Sequence, residues 1–80
     1  MSETDILNGL AETLGEIIGQ GSVRLESSTR QEDVEGWDSL AQIQLVLALG
    51  KRFGVKFTTR EVMGWTDVGS IVACIRGKCA

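Results

Sequence analysis

Apolar side chains recur every three or four positions in the first quarter of the chain. These positions are Ile6, Leu10, Leu14, Ile17 and Ile18. The spacing predicts an amphipathic helix over about residues 4–18. Ser2 or Thr4 can cap the start of this helix, and Ser2 with Asp5 has the spacing of a capping box.

A second and more hydrophobic helix is predicted over residues 39–52. Its apolar set is Leu40, Ile43, Leu45, Val46, Leu47, Ala48, Leu49 and Phe53. Because these positions cover more than one face, the helix either lies centrally in a bundle or meets a partner with part of its surface. Residues 19–37 connect the two helices, and so long a connection is more often functional than idle. Its apolar anchors, which predict a packed loop, are Val23, Leu25, Val34 and Trp37.

Two more helices are predicted after residue 57. Thr58 and Glu61 match a capping box that opens a short helix, which Gly64 ends. Asp67 can cap a last helix, which Gly77 closes. The apolar positions of this last helix are Val68, Ile71, Val72 and Ile75.

These elements predict an all-α fold, a small four-helix bundle with three longer helices and one short helix. Residues 55–57 suit a strand, but no second strand is present to pair with it. The length allows one hydrophobic core, so residues 1–80 are expected to form a single domain.

The number of glycines in the predicted helices indicates a marginally stable bundle. Four glycines fall inside or near the ends of predicted helices, namely Gly9, Gly15, Gly50 and Gly69. Each lowers stability by roughly 0.5–1 kcal/mol relative to alanine if it is truly interior. Gly50 alternatively breaks the second helix before Phe53. The short helix and the long loop are expected to open most easily.

Composition excludes several classes of function. The chain has no histidine and only two cysteines, Cys74 and Cys79, which removes Ser-His-Asp and Cys-His catalysis and the common zinc sites. We therefore expect no catalytic residues and no metal site. A net charge of −3 argues against nucleic acid as a partner, and no apolar run is long enough to span a membrane. The few cysteines favour a reducing compartment, the cytoplasm.

Charge is unevenly distributed along the chain. Residues 1–40 hold nine carboxylates against two cations, whereas residues 41–80 hold six cations against two carboxylates. We interpret this asymmetry as information about partners rather than about the fold.

The segment with the most informative chemistry is Gly36-Trp37-Asp38-Ser39-Leu40, directly before the apolar helix. Taken alone, Asp38 and Ser39 are ordinary helix caps. A hydroxyl at the start of a helix also faces backbone N–H groups that lack partners, which would stabilise a phosphate attached there. Ser39 is thus a suitable attachment site for a phosphodiester. It is a poor nucleophile by itself, because the chain has no histidine to act as a general base.

The sequence Asp38-Ser39-Leu40 resembles the Asp-Ser-Leu attachment motif of the acyl carrier protein family. The resemblance continues without a gap from residue 39 to residue 75, through the segments 43–49, 53–57 and 68–72. The first helix and the long loop agree with the family in length and pattern only. A motif this short is specific only because of its context, an acidic chain without histidine and a long loop before an apolar helix.

The resemblance implies that Ser39 is esterified with 4′-phosphopantetheine, which a separate phosphopantetheinyl transferase takes from coenzyme A. The thiol of that arm would hold acyl groups as thioesters and present them to acyl-loading, acyl-transferring or condensing enzymes. These enzymes would belong to fatty-acid, modified-lipid or polyketide-type biosynthesis. The protein would be a monomeric carrier and not an enzyme. Asp38 would assist the transferase and the turn into the helix, and Leu40 would anchor the helix start and touch partners.

The resemblance also implies two surfaces. The residues expected to bind partners are Leu40, Ile43, Gln44, Leu47, Lys51, Val62 and Met63. The residues expected to line an acyl cleft are Leu49, Phe57, Val62, Trp65 and Ile71. Without the resemblance, the cleft residues would be interpreted as plain core. Trp65 is bulky for its position and would shorten the cleft.

The second helix departs from the family in its charge. Ala41 and Gln44 stand where acids are common, and Gly50-Lys51-Arg52 replaces a typical acidic end. One interpretation is drift on a solvated face. We prefer a dedicated set of partners, because electrostatic complementarity selects partners and rejects others. A specialised carrier is therefore predicted rather than a housekeeping one.

Two other functions stay open at this point. An aminoacyl or peptidyl carrier, including a D-alanine-type carrier, would share the fold and the modified serine. Peptidyl carriers usually have two glycines before the His/Asp-Ser pair, whereas this chain has Gly36-Trp37. A helical interaction module, in which Ser39 is only a cap, is the alternative from another class. A mass increase of one phosphopantetheine on Ser39 separates the carriers from that module.

Overall fold

The computed structural model describes residues 2–21 and 23–79. Four α helices follow one another in this part of the chain: α1 Glu3–Ile18, α2 Ser39–Phe53, α3 Thr59–Met63 and α4 Val68–Cys79. A short 3-10 turn, Gln31–Asp33, lies within the connection between α1 and α2 and was not predicted. The described residues contain no strand, and residues 55–57 are extended coil. The all-α prediction is confirmed. None of the described helices combines the length and the apolar character needed to cross a membrane.

The predicted caps account for most helix ends. Ser2 caps α1 by accepting a hydrogen bond from the Asp5 N–H at 3.1 Å. Asp67 accepts a hydrogen bond from the Ser70 N–H at 2.9 Å at the start of α4, which holds the pKa of the Asp67 carboxyl below its ordinary value. The left-handed glycines Gly19 and Gly54 end α1 and α2.

The predicted end of α4 at Gly77 is wrong, and the alternative break of α2 at Gly50 does not occur, since α2 ends one residue past its predicted end. Helix α2 continues through Gly50 to Phe53, and α4 continues through Gly77 to Cys79. A glycine ends a helix when it adopts a left-handed conformation, and neither of these two does so. Phe53 and Cys79 both pack against the core, so continuing each helix buries one more side chain.

The core lies where α1 contacts both α2 and α4. The largest side chains that are fully buried there are Ile6, Leu10, Leu14, Leu45, Leu49, Val68 and Ile75. The long connection also belongs to the core, since Leu25 and Trp37 are buried and Val23 and Val34 are half-buried. Its backbone is fixed to α4, because the carbonyls of Ser27 and Thr29 accept hydrogen bonds from the Gly69 and Val68 N–H groups, both at 2.8 Å. The packed loop predicted from its apolar anchors is confirmed.

Three glycines within helices lie where another segment of the chain comes close to the helix backbone. A Cβ on Gly9 would lie 2.8 Å from Phe53 Cζ, and one on Gly50 would lie 2.9 Å from the Val55 carbonyl oxygen. A Cβ on Gly69 would lie 3.1 Å from the Ser27 carbonyl oxygen. A side chain at any of these three positions would force a neighbouring atom to move. The expectation that these glycines only lower the stability of their helices is therefore wrong.

Part of the charge asymmetry is used inside the fold. Arg52 Nη2 lies 2.8 Å from Glu12 Oε2, and Arg76 Nη1 lies 3.1 Å from Glu3 Oε1. These ion pairs join α2 and α4 to α1, across the division between the acidic and the basic half. Both are exposed, so each contributes at most about 1 kcal/mol. Because Arg52 and Arg76 are engaged in these ion pairs, fewer cations are available to partners than the sequence predicts.

Candidate functional site

Ser39 is the first residue of α2, and Asp38 is its N-cap. The Oδ1 atom of Asp38 accepts a hydrogen bond from the Ala41 N–H at 2.8 Å. The sequence could not say which of the two polar residues caps the helix. Because Asp38 does, the exposed hydroxyl of Ser39 is not required for capping.

The turn before Ser39 is held by residues that the sequence analysis did not assign to the site. Trp37 is buried, and its Nε1–H donates to Gln42 Oε1 at 2.7 Å. Gly36 has φ +92, and a Cβ there would lie 3.3 Å from Ile18 Cβ. This glycine therefore lets the chain pass close to α1 before it enters α2. A glycine and an aromatic residue directly before Asp-Ser were the available signal.

The surroundings of Ser39 combine charges of both signs. The first-turn N–H groups of a helix lack intrahelical acceptors and form its partially positive end. The preceding loop is acidic, but two of its carboxylates are engaged locally, as Asp33 accepts from the Arg30 N–H at 2.9 Å and Glu32 lies 3.8 Å from Arg30 Nη1. The described residues include no group of three or more side chains able to hold a metal ion.

An open groove between α2 and α3 begins one turn after Ser39. Its volume is about 260 Å³, and we call it the α2–α3 groove. The lining residues are Gln42, Ile43, Val46, Leu47, Phe57, Thr58, Thr59, Val62 and Met63. A second cavity of about 450 Å³ shares three of these residues and extends toward Lys51 and Lys56. The surface is therefore mainly apolar along α2 and cationic at the far end.

The structure divides the five residues that were expected to line an acyl cleft. Phe57 and Val62 line the α2–α3 groove. Leu49 and Ile71 do not, because they are buried in the core. Trp65 is half-buried and contacts the edge of Phe57, with ring centroids 5.2 Å apart at 83°. The expected set is divided because α2 is apolar on more than one face. Leu45 and Leu49 face the core, whereas Ile43, Val46 and Leu47 face α3.

The expected partner-binding residues lie together on the outer surface. Leu40, Ile43, Gln44, Leu47, Lys51 and Met63 are exposed, and Val62 is half-buried. The five α2 residues of this set recur at helical spacing and occupy one face. Two residues used in the charge comparison do not belong to that face. Ala41 is buried against the core, and Arg52 pairs with Glu12 of α1.

One carboxylate anchors α3, which has no buried residue of its own. Glu61 Oε1 accepts from the Thr58 N–H at 2.8 Å, completing the predicted capping box. Glu61 Oε2 lies 2.9 Å from Lys78 Nζ on α4. The Thr58 N–H and, next, Lys78 lower the pKa of Glu61 from 4.5 to about 2. The wall that α3 gives to the groove is thus attached to α4 through Glu61.

Behind α3, the thiol of Cys74 donates to Glu61 Oε2 at 3.7 Å. Burial raises the pKa of Cys74, although the neighbouring Trp65 indole lowers it. Cys74 and Cys79 are both free. A raised pKa favours the neutral form of the thiol, which is its unreactive form.

Comparison with known proteins agrees with the family resemblance of the sequence. A family model described as "Phosphopantetheine attachment site" matches residues 6–75. An acyl carrier protein of Acidothermus cellulolyticus is 32% identical over 72 residues, which cover 90% of this chain and 86% of the relative. A meromycolate extension acyl carrier protein of Mycolicibacterium aurum is 28% identical over 75 residues, covering 94% and 77%. No solved structure matched the chain.

Proposed function

We propose that this chain, which belongs to the family of acyl carrier proteins with a phosphopantetheine attachment site, bears its 4′-phosphopantetheine arm on Ser39. The observation that carries the assignment is the position of Ser39, an exposed hydroxyl at the first residue of α2. A phosphodiester there would meet first-turn N–H groups and the positive end of the helix dipole, an interaction of about 0.3–1 kcal/mol. Asp38 holds the helix start in place.

The acyl cargo is supported by the α2–α3 groove. The arm supplies a terminal thiol that holds an acyl group as a thioester. Ser39 and Ile43 are four residues apart and share one face of α2, so a group leaving Ser39 lies at the mouth of the groove. Side chains such as Val46, Phe57 and Val62 offer apolar contacts to an acyl chain, and the lining residues include no carboxylate to pair with the ammonium group of an aminoacyl cargo. We therefore infer that the cargo is an acyl group rather than an aminoacyl group.

We place the carrier in lipid biosynthesis, with partners of its own. Its relatives include a protein named for meromycolate extension, a specialised role. Between Ser39 and Met63, four cations stand against the single carboxylate of Glu61, which is unlike an acidic recognition helix. The partners would be a phosphopantetheinyl transferase and enzymes that load, transfer or condense acyl groups. The reactions occur on those enzymes, while this chain attaches and orients the cargo. Two free thiols support a reducing compartment, the cytoplasm.

Modification of Ser39 is the decisive experiment. Incubated with coenzyme A, Mg²⁺ and a transferase of broad specificity, the protein should gain the mass of one phosphopantetheine, and Ser39→Ala should gain none. Intact mass spectrometry gives the number of arms, and fragmentation of the modified peptide locates the site. Ser27→Ala, which changes an exposed serine elsewhere in the loop, is the matched control and should be modified fully. An arm on another serine, or no arm with several transferases, would overturn the proposal.

A further inference from the structure

The surface beside Ser39 exposes an unusual amount of apolar side chain. Leu40, Ile43, Leu47 and Met63 are 63%, 60%, 71% and 80% exposed, and they are the large hydrophobic residues that the described fold leaves to solvent. We call these four residues the docking stripe. Three of them recur on one face of α2, and Met63 faces them from α3 across the groove. Contiguous apolar exposure of this kind marks an interaction surface.

Beyond the docking stripe, the surface ends in two lysines. Lys51 and Lys56 are exposed and line the continuation of the groove with Val46, Leu47 and Phe57. Neither lysine is part of an ion pair among the described residues, in contrast to Arg52, which pairs with Glu12. From Ser39 to Met63 the only carboxylate is Glu61, and it is engaged by Lys78. The charge of both lysines therefore remains available to a partner.

The other end of the same surface is acidic. Asp38 is exposed directly before Ser39, and Glu35 is exposed in the loop that leads to it. Ser39 and Lys51 are separated by twelve residues of α2, which corresponds to about 18 Å along the helix axis. The surface thus has a direction, with carboxylates at the Ser39 end, apolar side chains in the middle and ammonium groups at the far end.

We propose that the docking stripe binds an enzyme whose docking surface is acidic at the end distant from its active-site entrance. Carboxylates of that enzyme would meet Lys51 and its neighbour Lys56 in the groove, and Lys51 lies about 18 Å along α2 from Ser39, whose arm the entrance receives. An apolar depression between them would receive Leu47 and Met63. The charges fix the orientation and the rate of docking, while the apolar contacts supply most of the affinity. This inference rests on the proposed function, because it identifies the partners of a carrier.

The test uses one condensing enzyme in two forms. The first form has basic residues beyond its active-site entrance, and in the second form these residues are replaced by glutamate. The carrier is loaded on Ser39 with a pantetheine arm that ends in a haloacetamide, which alkylates the active-site cysteine with loss of halide. The same pantetheine haloacetamide, not attached to any protein, is also reacted with each form of the enzyme. Each cross-linking rate is divided by this reference rate, so that differences in the reactivity of the cysteine cancel. The loaded chain should cross-link faster with the acidic form, and the preference should weaken as salt is added.

The variants assign that preference to the two lysines. Lys51→Glu and Lys56→Glu should each slow cross-linking with the acidic form by about two- to fivefold, the range of an exposed ion pair. Lys51→Gln should give a smaller decrease, since it removes the charge without reversing it. Arg24→Glu is the matched control, because it makes the same change in net charge at an exposed site between α1 and α2 and should leave the rate unchanged.

Two outcomes would overturn the inference while leaving the carrier function intact. One is a loaded chain that prefers the basic form or shows no preference. The other is an Arg24→Glu effect as large as that of Lys51→Glu, which would mean that only net charge matters. Failure of Ser39 to accept any arm, seen by mass before cross-linking, would overturn the proposed function and this inference with it.

Discussion

At the scale of single residues, the helix glycines differ in what they permit. Gly50 and Gly77 both lie inside helices, so intrinsic helix propensity alone would assign them the same effect on stability. The structure separates them, because a Cβ at Gly50 would lie 2.9 Å from a backbone oxygen that cannot easily move, whereas a Cβ at Gly77 meets nothing within 4 Å.

The two alanine substitutions should therefore have opposite signs. Gly50→Ala should lower the free energy of unfolding by about 1–3 kcal/mol, through strain against the Val55 carbonyl. Gly77→Ala should raise it by about 0.4–1 kcal/mol, because it restricts the unfolded chain without strain in the folded one. Urea titration followed by circular dichroism measures both. A stabilising Gly50→Ala would show that the close approach between Gly50 and Val55 is not rigid.

At the scale of helices, the sequence predicts where the elements lie but not which way α2 faces. The regular spacing of apolar residues locates α1, α2 and α4, and the Thr58–Glu61 pair locates α3. Leucine occurs on all sides of α2, so the spacing of apolar residues alone could not tell that Ala41 is buried or that Leu47 is exposed. Only the family resemblance placed Leu47 on an outer surface. The family resemblance, rather than this spacing, placed Leu49 at the acyl cleft, and Leu49 is buried in the core. The contacts of α2 with α1 and with the shared core decide these orientations.

The attachment of α3 to α4 should depend on pH. The folded chain lowers the pKa of Glu61 to about 2, so the carboxylate stabilises the fold fully above its ordinary pKa of 4.5. This stabilisation is lost as the pH falls from about 4.5 toward 2. Glu61→Gln should therefore melt at a lower temperature than the native protein near neutral pH. The gap in melting temperature should close between these two pH values.

Melting curves from pH 7 to pH 2 give the gap directly. Adding Lys78→Gln to both proteins is the control, and it should narrow the gap, because Lys78 is the second contributor to the shift in the pKa of Glu61. A gap that stays constant down to pH 2 would mean that the charge of Glu61 does not stabilise the fold.

At the scale of the whole molecule, the structure distinguishes the two segments that were both expected from the sequence to open most easily. Helix α3 has five residues and none of them is buried. The long loop has buried Leu25 and Trp37, and its backbone accepts hydrogen bonds from Val68 and Gly69 at the start of α4. Apolar burial and backbone pairing to a core helix raise the free energy of local opening.

Amide hydrogen exchange should therefore be fastest in α3. The amides of Val62 and Gly64, which close α3 onto Thr58 and Arg60, should exchange at the lowest opening free energy. The amides of Val68 and Gly69 should exchange slowly, together with the core of α1, because the loop must leave α4 to expose them. Exchange resolved by residue with NMR makes the comparison. Equal rates for Val62 and Gly69 would show that the loop opens as easily as α3.

The positions of the two tryptophans have an optical consequence. The chain has no tyrosine, so its intrinsic fluorescence comes from Trp37 and Trp65. Trp37 is tied to Gln42 two residues before Ser39, whereas Trp65 lies between Phe57 and the thiol of Cys74 behind the groove. Trp65 is therefore the indole whose surroundings change when α3 and its neighbours move away from α4. The chain thus contains two natural probes, one beside Ser39 and one behind the wall of the groove.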